Sequence, residues 1–409
     1  MKKNRKDGLI YRAFREVRSN IKYMDKLLLV LVLLFAGFGL VMVFSASNIT
    51  AVLSYHQAPT YFLARQLGFT ILGLLAMIAF AVFIPRRWYP TITIVGLVGI
   101  FFIFIFMRAM TAINDAQSWY TVGTRSFQPS EFAKTLVILL LAWWYSTYAT
   151  NKDFFILLKP MFKKHFRWAT LAVPLVICMI LAFMIAREPD FGTAGVLCLI
   201  VMLIFFALPS KNSLFKFAKI GVVLVGIAGI IGIYILQPHF ISRENTSRQE
   251  SRFAFTEPCS RSLAKTGYQV CNAYIAINNG GLWGRGIGQS TQKFLYLPEA
   301  FTDFVFPVVV EEIGLIGSSV VLVCYIILLT KILIIARNAV DLYDSLIAFG
   351  TFSYILIHIV INLGGVLALI PMTGIPLPFL SYGGSFLLNL FILLGLSMKV
   401  SANIKKKGY

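Results

Sequence analysis

Long apolar runs are the feature of this sequence that most restricts its fold. The chain has 409 residues, of which 58% are hydrophobic and only 13% are charged, whereas a soluble domain has about a quarter of its residues charged. The apolar residues form blocks of about 20, the length of helix that crosses the hydrocarbon core of a bilayer. Lipid cannot satisfy exposed backbone groups, so such blocks have to be helical. The sequence therefore predicts an all-α polytopic membrane protein.

About ten membrane-spanning helices are predicted, and the connections between them indicate their orientation. Cytoplasmic connections are enriched in Lys and Arg. Residues 1–26 contain nine Lys and Arg residues. The even-numbered connections and the tail are also basic, so both termini are expected in the cytoplasm. The predicted spans are 27–46, 66–84, 91–109, 131–148, 168–186, 193–208, 219–236, 304–330, 345–369 and 385–402.

Two other interpretations of these patterns are disfavoured. The net charge of +20 could indicate a nucleic-acid partner, but the basic residues follow the cytoplasmic connections, where anionic lipid and membrane insertion already account for them. The first apolar block, 27–43, is too long for the apolar part of a cleaved signal peptide. We therefore expect no nucleic-acid partner and an uncleaved first span.

The predicted organisation has a basic N-terminal segment (1–26), a membrane domain (27–402) and a basic tail (403–409). Leu9, Ile10, Phe14 and Val17 would share one face if the N-terminal segment forms an amphipathic helix; a simple topogenic anchor is the alternative. Within the membrane domain, 237–303 forms a long extracytoplasmic loop between spans 7 and 8, and its glycines and aromatic residues favour an ordered structure. Residues 371–385, PMTGIPLPFLSYGGS, are too rich in Pro and Gly to be helical. Such backbone is tolerated at membrane depth only inside protein or beside a wet cavity.

The five cysteines divide into two groups. Cys178, Cys198 and Cys324 lie inside predicted spans and are expected to be apolar core residues. Cys259 and Cys271 lie in the long extracytoplasmic loop. They form a disulfide or remain two free thiols, because spacing alone does not decide pairing.

Charged groups collect where predicted spans meet the extracytoplasmic side. Glu131 and Lys134, three residues apart, share a helix face at the start of span 4, and the alternative role for Lys134 is a snorkelling anchor at the membrane surface. Arg187, Glu188 and Asp190 form the turn between spans 5 and 6, where turn chemistry accounts for only part of the pattern. Glu299 and Asp303 precede span 8 in YLPEAFTDF.

This combination of acidic and basic groups suits a particular kind of chemistry. A carboxylate can deprotonate a hydroxyl as a general base, and Arg or Lys can stabilise phosphate charge. Since the groups lie beside lipid, the pattern favours a lipid-linked phosphate as substrate. A lipid flippase or secondary transporter is the alternative, since Glu311 and Glu312 are expected within span 8; helix–helix hydrogen bonding is their structural interpretation. A non-catalytic scaffold is a third.

Four separated motifs, in the same order, resemble the shape, elongation, division and sporulation (SEDS) family of peptidoglycan polymerases. They are NDAQSWYTVGTRSFQPSEFAK, EPDFGT, GGLWGRGIGQSTQKFLYLPEAFTDF and PMTGIPLPFLSYGGS. The resemblance runs from the first span to the C-terminus, and GQSTQKFLYLPE is more similar to the FtsW branch than to the RodA branch. It implies an inverting glycosyltransferase that polymerises lipid II at the outer membrane face.

The resemblance also implies roles for individual residues. Asp303 corresponds to the family's essential carboxylate. The predicted substrate- and pyrophosphate-binding residues are Ser130, Glu131, Lys134, Trp119, Arg187, Asp190, Arg252, Lys293, Glu299, Thr302 and Ser381. The chain departs from the family at Phe301, where His is frequent, at Asp115, where Gly is common, and at Glu188, where Gln is usual; Glu188 would add a negative charge near the site.

Further expectations concern partners and location. The resemblance implies a class B penicillin-binding protein transpeptidase as partner, together with other division proteins, in the bacterial plasma membrane at the division septum. A divalent cation, Mg or Mn, is the only cofactor expected, and no organic cofactor is. His56 and His358 carry no clear functional pattern and are interpreted as structural polar groups.

Overall fold

A computed structural model describes residues 7–109, 120–122, 125–150, 166–188, 190–208, 217, 219–221, 224, 259, 267–294, 296–297 and 300–407 of the chain. These residues are mainly helical. The helices are α1 (Asp7–Tyr23), α2 (Lys26–Leu53), α3 (Tyr61–Ile78), α4 (Tyr89–Ala109), α5 (Pro129–Thr150), α6 (Phe166–Ala186), α7 (Phe191–Ala207), α8 (Tyr268–Gly280), α9 (Val305–Arg337), α10 (Leu342–Val366) and α11 (Gly384–Lys406).

The helices agree with the predicted polytopic membrane class. Within the described part of the chain, six helical stretches are long and apolar enough to cross a membrane: Lys26–Leu53, Tyr61–Phe83, Arg86–Phe106, Val305–Arg337, Leu342–Val366 and Gly384–Lys406. Every predicted span except 219–236 overlaps a described helix, and 219–236 lies largely outside the described residues. The segment 371–383 is non-helical, as its Pro and Gly content predicts.

A short hairpin adds to this helical architecture. Strands β1 (Tyr120–Val122) and β2 (Arg125–Phe127) pair antiparallel, with Tyr120 opposite Phe127. Their aromatic and β-branched residues favour extended backbone. The hairpin ends two residues before α5, and so leads the chain directly to the PSE motif.

Aspartate side chains begin three of the helices. Asp25 accepts a hydrogen bond from the Leu28 amide at 3.0 Å, Asp190 from Thr193 at 3.1 Å, and Asp341 from Asp344 at 3.0 Å. Each bond satisfies an amide that has no partner within its helix. The aspartate positions therefore determine where α2, α7 and α10 start.

Helix α1 packs against the C-terminal end of α11. The Asn20 amide donates to the Val82 carbonyl at 2.8 Å and its oxygen accepts from Lys406, while Glu16 lies 3.6 Å from Lys399. Val17 packs against the core, but Phe14 is exposed. The segment is helical, as the amphipathic interpretation requires, and its contact with a membrane surface stays a prediction.

Helices α3 and α11 approach one another closely through small residues. A Cβ added to Gly73 would lie 2.2 Å from the Phe391 ring, and a Cβ added to Gly395 would lie 2.5 Å from the Met77 carbonyl oxygen. In a bilayer, an apolar side chain gains little by leaving lipid for a neighbouring helix. Close van der Waals contact between helices, as seen here, is therefore what holds them together.

Helix α9 is broken near its first third. Gly314 has φ 71° and ψ 178°, a conformation that is open only to glycine. Residues 305–312, before the break, are buried on every side. The 23 residues after it, 315–337, are long enough (about 34 Å) to cross a bilayer by themselves. The predicted span 304–330 thus consists of an enclosed half-helix followed by a complete span.

The segment that follows α8 closes this break. The Glu311 and Glu312 carbonyls accept from the Arg285 and Gly286 amides, each at 2.9 Å. The carbonyls of Gly281 and Leu282 accept from Leu315 and Ile316 at 2.9 and 3.1 Å. The backbone groups that the broken helix cannot pair internally are therefore paired by residues 281–286, as buried backbone requires.

Gly314→Ala is expected to destabilise the fold. A Cβ at Gly314 would lie 2.4 Å from the Gly284 nitrogen and the Leu282 carbonyl oxygen, and the positive φ adds strain, so the cost should be on the order of 3 kcal/mol. Thermal unfolding in detergent would measure it. The matched control is Gly99→Ala in α4, where an added Cβ meets nothing within 4 Å. Equal midpoints for the two variants would contradict the tight pairing described here.

Candidate active site

Asp303 lies in a turn that two other parts of the chain, α10 and the irregular segment 371–383, hold in place. The Thr302 hydroxyl donates to Asp303 Oδ1 at 3.1 Å, and Asn362 on α10 donates to the Asp303 carbonyl at 2.7 Å. The amide of Tyr382 donates to the Phe301 carbonyl at 2.8 Å. The Asp303 side chain is half-buried, so the turn is fixed through its backbone while the carboxylate keeps access to a ligand.

A small, partly open cavity adjoins this turn. Its wall combines Asp303 and Phe304 with residues of α10 and of the irregular segment: Ile361, Asn362, Gly365, Val366, Met372, Thr373, Gly374 and Ile375. Asn362 also donates to the Ile375 carbonyl at 2.8 Å. One buried amide therefore links the Asp303 turn to the opposite wall of the cavity.

Glu131 and Lys134 form a buried ion pair at the start of α5. Lys134 Nζ lies 2.8 Å from Glu131 Oε1, and the Lys134 side chain has 0% exposure. The alternative prediction that Lys134 snorkels to the membrane surface is therefore wrong. Pro129 and Ser130 begin the helix so that Glu131 and Lys134, one turn apart, face the interior together.

Two residues of α10 complete the surroundings of this pair. Tyr354 donates its hydroxyl to Glu131 Oε2 at 3.2 Å, and His358 Nε2 lies 3.2 Å from Lys134 Nζ. His358 Nδ1 lies 2.7 Å from the Tyr354 carbonyl. A carbonyl can only accept, so Nδ1 carries the proton and Nε2 accepts from the ammonium. His358 is therefore a neutral partner of Lys134.

Tyr354, His358 and Asn362 form one polar stripe on α10. They are spaced by four residues and so face the same side of the helix. The stripe contacts Glu131 at one end, Lys134 in the middle and the Asp303 turn at the other. Helix α10 thus connects the two predicted groups of charged residues.

The turn between α6 and α7 joins the same end of the protein. Gln128 donates its side-chain amide to Asp190 Oδ2 at 2.8 Å and its backbone amide to Ser385 at 3.1 Å. Asp190 also caps α7. A Cβ on Gly192 would lie 2.6 Å from the Thr373 carbonyl. The turn therefore packs against the starts of α5 and α11 and against the irregular segment.

Glu188 in this turn is an unusual carboxyl group. Burial, together with the nearby negative charge of Asp190, raises the pKa of Glu188 to about 7. The negative charge expected where the family usually has Gln is therefore only partly present at neutral pH. Protonated Glu188 is uncharged, as Gln is.

Glu311, Glu312 and Lys293 meet at the break in α9. Glu311 accepts from the Ser290 hydroxyl at 2.5 Å, the Thr291 hydroxyl at 2.8 Å and the Thr291 amide at 3.1 Å. Lys293 Nζ lies 3.2 Å from Glu312 Oε1. Both acids hold the segment that leads to the Asp303 turn, which fits their structural interpretation.

The remaining predicted residues differ in their surroundings. Ser130 is buried, and its hydroxyl has no hydrogen-bond partner among the described residues. Ser381 accepts from the Leu377 amide at 2.8 Å within the irregular segment. Arg187 is exposed, with its guanidinium 5.6 Å from the centre of the Phe183 ring. Trp119, Arg252 and Glu299 lie outside the described residues.

Cys259 and Cys271 are joined by a disulfide, with their Cα atoms 5.0 Å apart. Cys271 lies in the first turn of α8. The bond therefore attaches the long loop to the helix that precedes the α9-pairing segment.

Sequence reasoning missed Gln128, Tyr354 and Asn362, and it interpreted His358 as a structural polar group without identifying Lys134 as its partner. The polar residues of SYILIHIVINL recur every four positions in an otherwise apolar helix. That spacing predicts a polar face within a helical bundle and was the signal available for them.

Fold and site together define a polytopic membrane protein with acidic and basic groups assembled at one end of its helical bundle. The family model described as cell cycle protein, FTSW_RODA_SPOVE, matches residues 25–406. The chain belongs to this family, and this agrees with the predicted SEDS resemblance.

Individual relatives agree with this assignment. The probable peptidoglycan glycosyltransferase FtsW of Bacillus subtilis (strain 168) is 36% identical over 95% of this chain and 92% of its own length. Stage V sporulation protein E of the same organism is 35% identical, over 92% of this chain and 96% of its own. The FtsW relatives bear out the predicted FtsW-like branch.

Solved structures share the fold. One is described as "Structural coordination of polymerization and crosslinking by a peptidoglycan synthase complex"; it has a TM-score of 0.68 and 23% identity, covering 93% of this chain and 98% of that one. The Thermus thermophilus rod shape determining protein RodA has a TM-score of 0.59 and 24% identity, covering 92% and 96%.

Lys134→Met should be strongly destabilising, because it leaves the Glu131 carboxylate buried without its counter-ion, at a cost on the order of 3 to 5 kcal/mol. The double variant Glu131→Gln/Lys134→Met should recover part of that loss, since no unpaired charge remains. Thermal unfolding of wild type, both single variants and the double variant would test this cycle. Additive losses would rule out the buried pair.

Glu188→Gln should change how stability depends on pH. The pKa of Glu188 is raised in the folded protein. The stability that its proton contributes is therefore fully present below about pH 4.5 and is lost as pH rises through about 7. The variant should match the wild type near pH 4.5 and be more stable above pH 7. Unfolding midpoints at pH 5 and pH 8 would test this, and a variant-minus-wild-type difference independent of pH would contradict it.

Proposed function

We propose that this protein is a peptidoglycan polymerase that joins lipid II units by inverting glycosyl transfer and releases polyprenyl pyrophosphate. The observation that carries the proposal is Asp303, a half-buried carboxylate in the wall of a cavity. Its turn is fixed by backbone hydrogen bonds from α10 and the irregular segment. The relatives named as peptidoglycan glycosyltransferases support the reaction class.

Asp303 is proposed as the general base. The attacking sugar hydroxyl would transfer its proton to the carboxylate as its oxygen bonds to the anomeric carbon of the donor. The bond from that carbon to pyrophosphate breaks, and pyrophosphate leaves with the bonding electrons. A single displacement converts the α-linked donor into a β-linked product. The hydrogen bond from Thr302 to Oδ1 would orient the carboxylate for this step.

Cationic side chains are proposed to stabilise the departing pyrophosphate. Arg187 is exposed at the same end of the bundle and could contact phosphate directly. Lys134 is buried and bonded to Glu131 and His358, so it would act through its electric field, which is weakly screened in a low-dielectric interior. Trp119, Arg252, Glu299, Lys293, Ser130 and Ser381 remain binding residues predicted from sequence.

A divalent cation remains part of the prediction. Within the described ranges, no group of three or more His, Cys, Asp or Glu side chains could hold a metal ion. The described residues do not supply a complete protein site, although Mg²⁺ often binds through one carboxylate plus substrate phosphates. The mechanism above contains no step through a cation.

The proposed setting follows from topology and family. Ten spans with both termini in the cytoplasm would place Asp303 at the extracytoplasmic face of the plasma membrane, where a polyprenyl anchor presents its sugars just outside the bilayer. A class B penicillin-binding protein transpeptidase is the proposed partner, with other division proteins at the septum. The solved peptidoglycan synthase complex of the same fold is compatible with this.

The transport alternative receives less support. Glu311 and Glu312, the acids that could have served a transport pathway, are bonded to Ser290, Thr291, Lys293 and Ser45. These bonds hold a loop in position, and Glu312 Oε2 is buried without a hydrogen-bond partner among the described residues.

Asp303→Asn should abolish glycan formation from purified lipid II while keeping the shape of the side chain. Loss of a general base is expected to reduce the rate by at least about 100-fold. Gel analysis of the polymer, with and without the transpeptidase and with Mg²⁺ or Mn²⁺, would measure this. Glu16→Gln, which removes a carboxylate on α1, is the control, and its unfolding midpoint is measured beside its activity because Glu16 pairs with the buried Lys399.

Polymer from the folded Asp303→Asn variant would exclude Asp303 as the base. Absence of polymer from the wild type, even with the transpeptidase and cation, would favour transport or scaffolding. A separate assay of lipid II translocation in liposomes would then distinguish those two.

A further inference from the structure

An exposed apolar patch surrounds Trp283, and we call Leu282, Trp283, Ile287, Leu315 and Ile316 the Trp283 patch. Trp283 is 81% exposed, and the other four are between 44% and 59% exposed. Large apolar side chains rarely cluster on a surface that faces water, and such patches mark interaction sites. The residues come from two segments, the loop after α8 and the start of the second part of α9.

The two segments form one rigid surface. Leu315 and Ile316 donate their amides to Gly281 and Leu282, the same hydrogen bonds that close the helix break. Gly284 and Gly314 approach so closely that added side-chain carbons would lie 2.4–2.6 Å from the opposing backbone. The loop therefore cannot fold its apolar side chains inward without breaking this pairing.

The patch is continuous with the surface that faces lipid. After the break, α9 is long enough to cross the bilayer, and most of its exposed residues are apolar: Leu315, Ile316, Val320, Val323, Ile326, Ile327 and Ile334. Ser319, Thr330 and Arg337 are the exposed polar residues of this part of the helix. Leu315 and Ile316 belong to the patch and to this stripe at once. The patch thus lies where a membrane-spanning helix emerges, at the end that carries Asp303.

The chemistry of the loop fits a lipid interface. Tryptophan is enriched where a bilayer meets water, since its ring is apolar and its N–H is polar. Arg285 is the only charged residue in GLWGRGIGQ, residues 281–289. Its guanidinium lies 3.9 Å from Glu311 Oε1 and donates to the Thr291 hydroxyl at 3.2 Å, so its charge is paired within the protein, as is usual for a charged residue beside lipid.

We propose that residues 281–287 are a membrane-inserted loop whose Leu282, Trp283 and Ile287 side chains lie among the headgroups and upper acyl chains of the bilayer. The sequence places this segment in an extracytoplasmic loop, outside the membrane. Insertion would fix the height of the Asp303 turn relative to the lipid surface, because the same loop continues through the residues held by Glu311 and Glu312. This inference does not depend on the proposed catalytic activity.

Spin labelling in liposomes tests the proposal with the full-length protein. Trp283→Cys and, as matched control, Gln289→Cys are each labelled with a nitroxide after Cys178, Cys198 and Cys324 are replaced by Ala. Gln289 is an exposed polar residue of the same loop. Leu282→Cys serves in place of Trp283→Cys if that variant does not fold. Collisions with oxygen report lipid, and collisions with a water-soluble nickel chelate report water.

The ratio of the oxygen collision rate to the nickel collision rate should be at least about threefold higher for the label at 283 than for the label at 289. Similar, nickel-rich values at both positions would overturn the proposal, and protection of 283 only after a transpeptidase is added would assign the patch to a protein partner instead. Oxygen-rich values at both positions would also overturn it, since a loop submerged as a whole has no specific inserted patch.

Discussion

The pairing of residues 281–286 with the break in α9 is the interaction on which the rest of this structure depends. A helix that stops inside a membrane protein leaves amides and carbonyls that lipid cannot satisfy. Here another stretch of the same chain supplies the missing partners, and two glycines allow the backbones to come close enough. As a result a short helix can be enclosed by protein, with Asp303 just before its first residue.

Helix α10 has a corresponding role for the charged groups. Its stripe of Tyr354, His358 and Asn362 turns three separated sequence motifs into one connected arrangement. Lys134 and the Asp303 turn need not touch, because each is bonded to the same helix. The position of α10 therefore determines the surroundings of both.

Much of this arrangement could be predicted from sequence, for identifiable reasons. Apolar runs of span length locate the helices, since the thickness and low polarity of the bilayer fix the length of such runs. The break at Gly314 could not be read in the same way, because a glycine within an apolar run has no distinctive pattern until its partner, residues 281–286, is known. Lys134 was open to two interpretations for a related reason: its burial depends on residues more than 200 positions away in the sequence. His358 was set aside although its four-residue spacing from Tyr354 and Asn362 was visible.

Glu188 gives this turn a property that a glutamine there would not have. A carboxyl with a pKa of about 7 is protonated in roughly half of the molecules at neutral pH. The turn therefore has two electrostatic forms, one neutral and one negative, with the same backbone. If an anionic ligand approaches this turn, mild acidity lowers the repulsion that the ligand meets and mild alkalinity increases it.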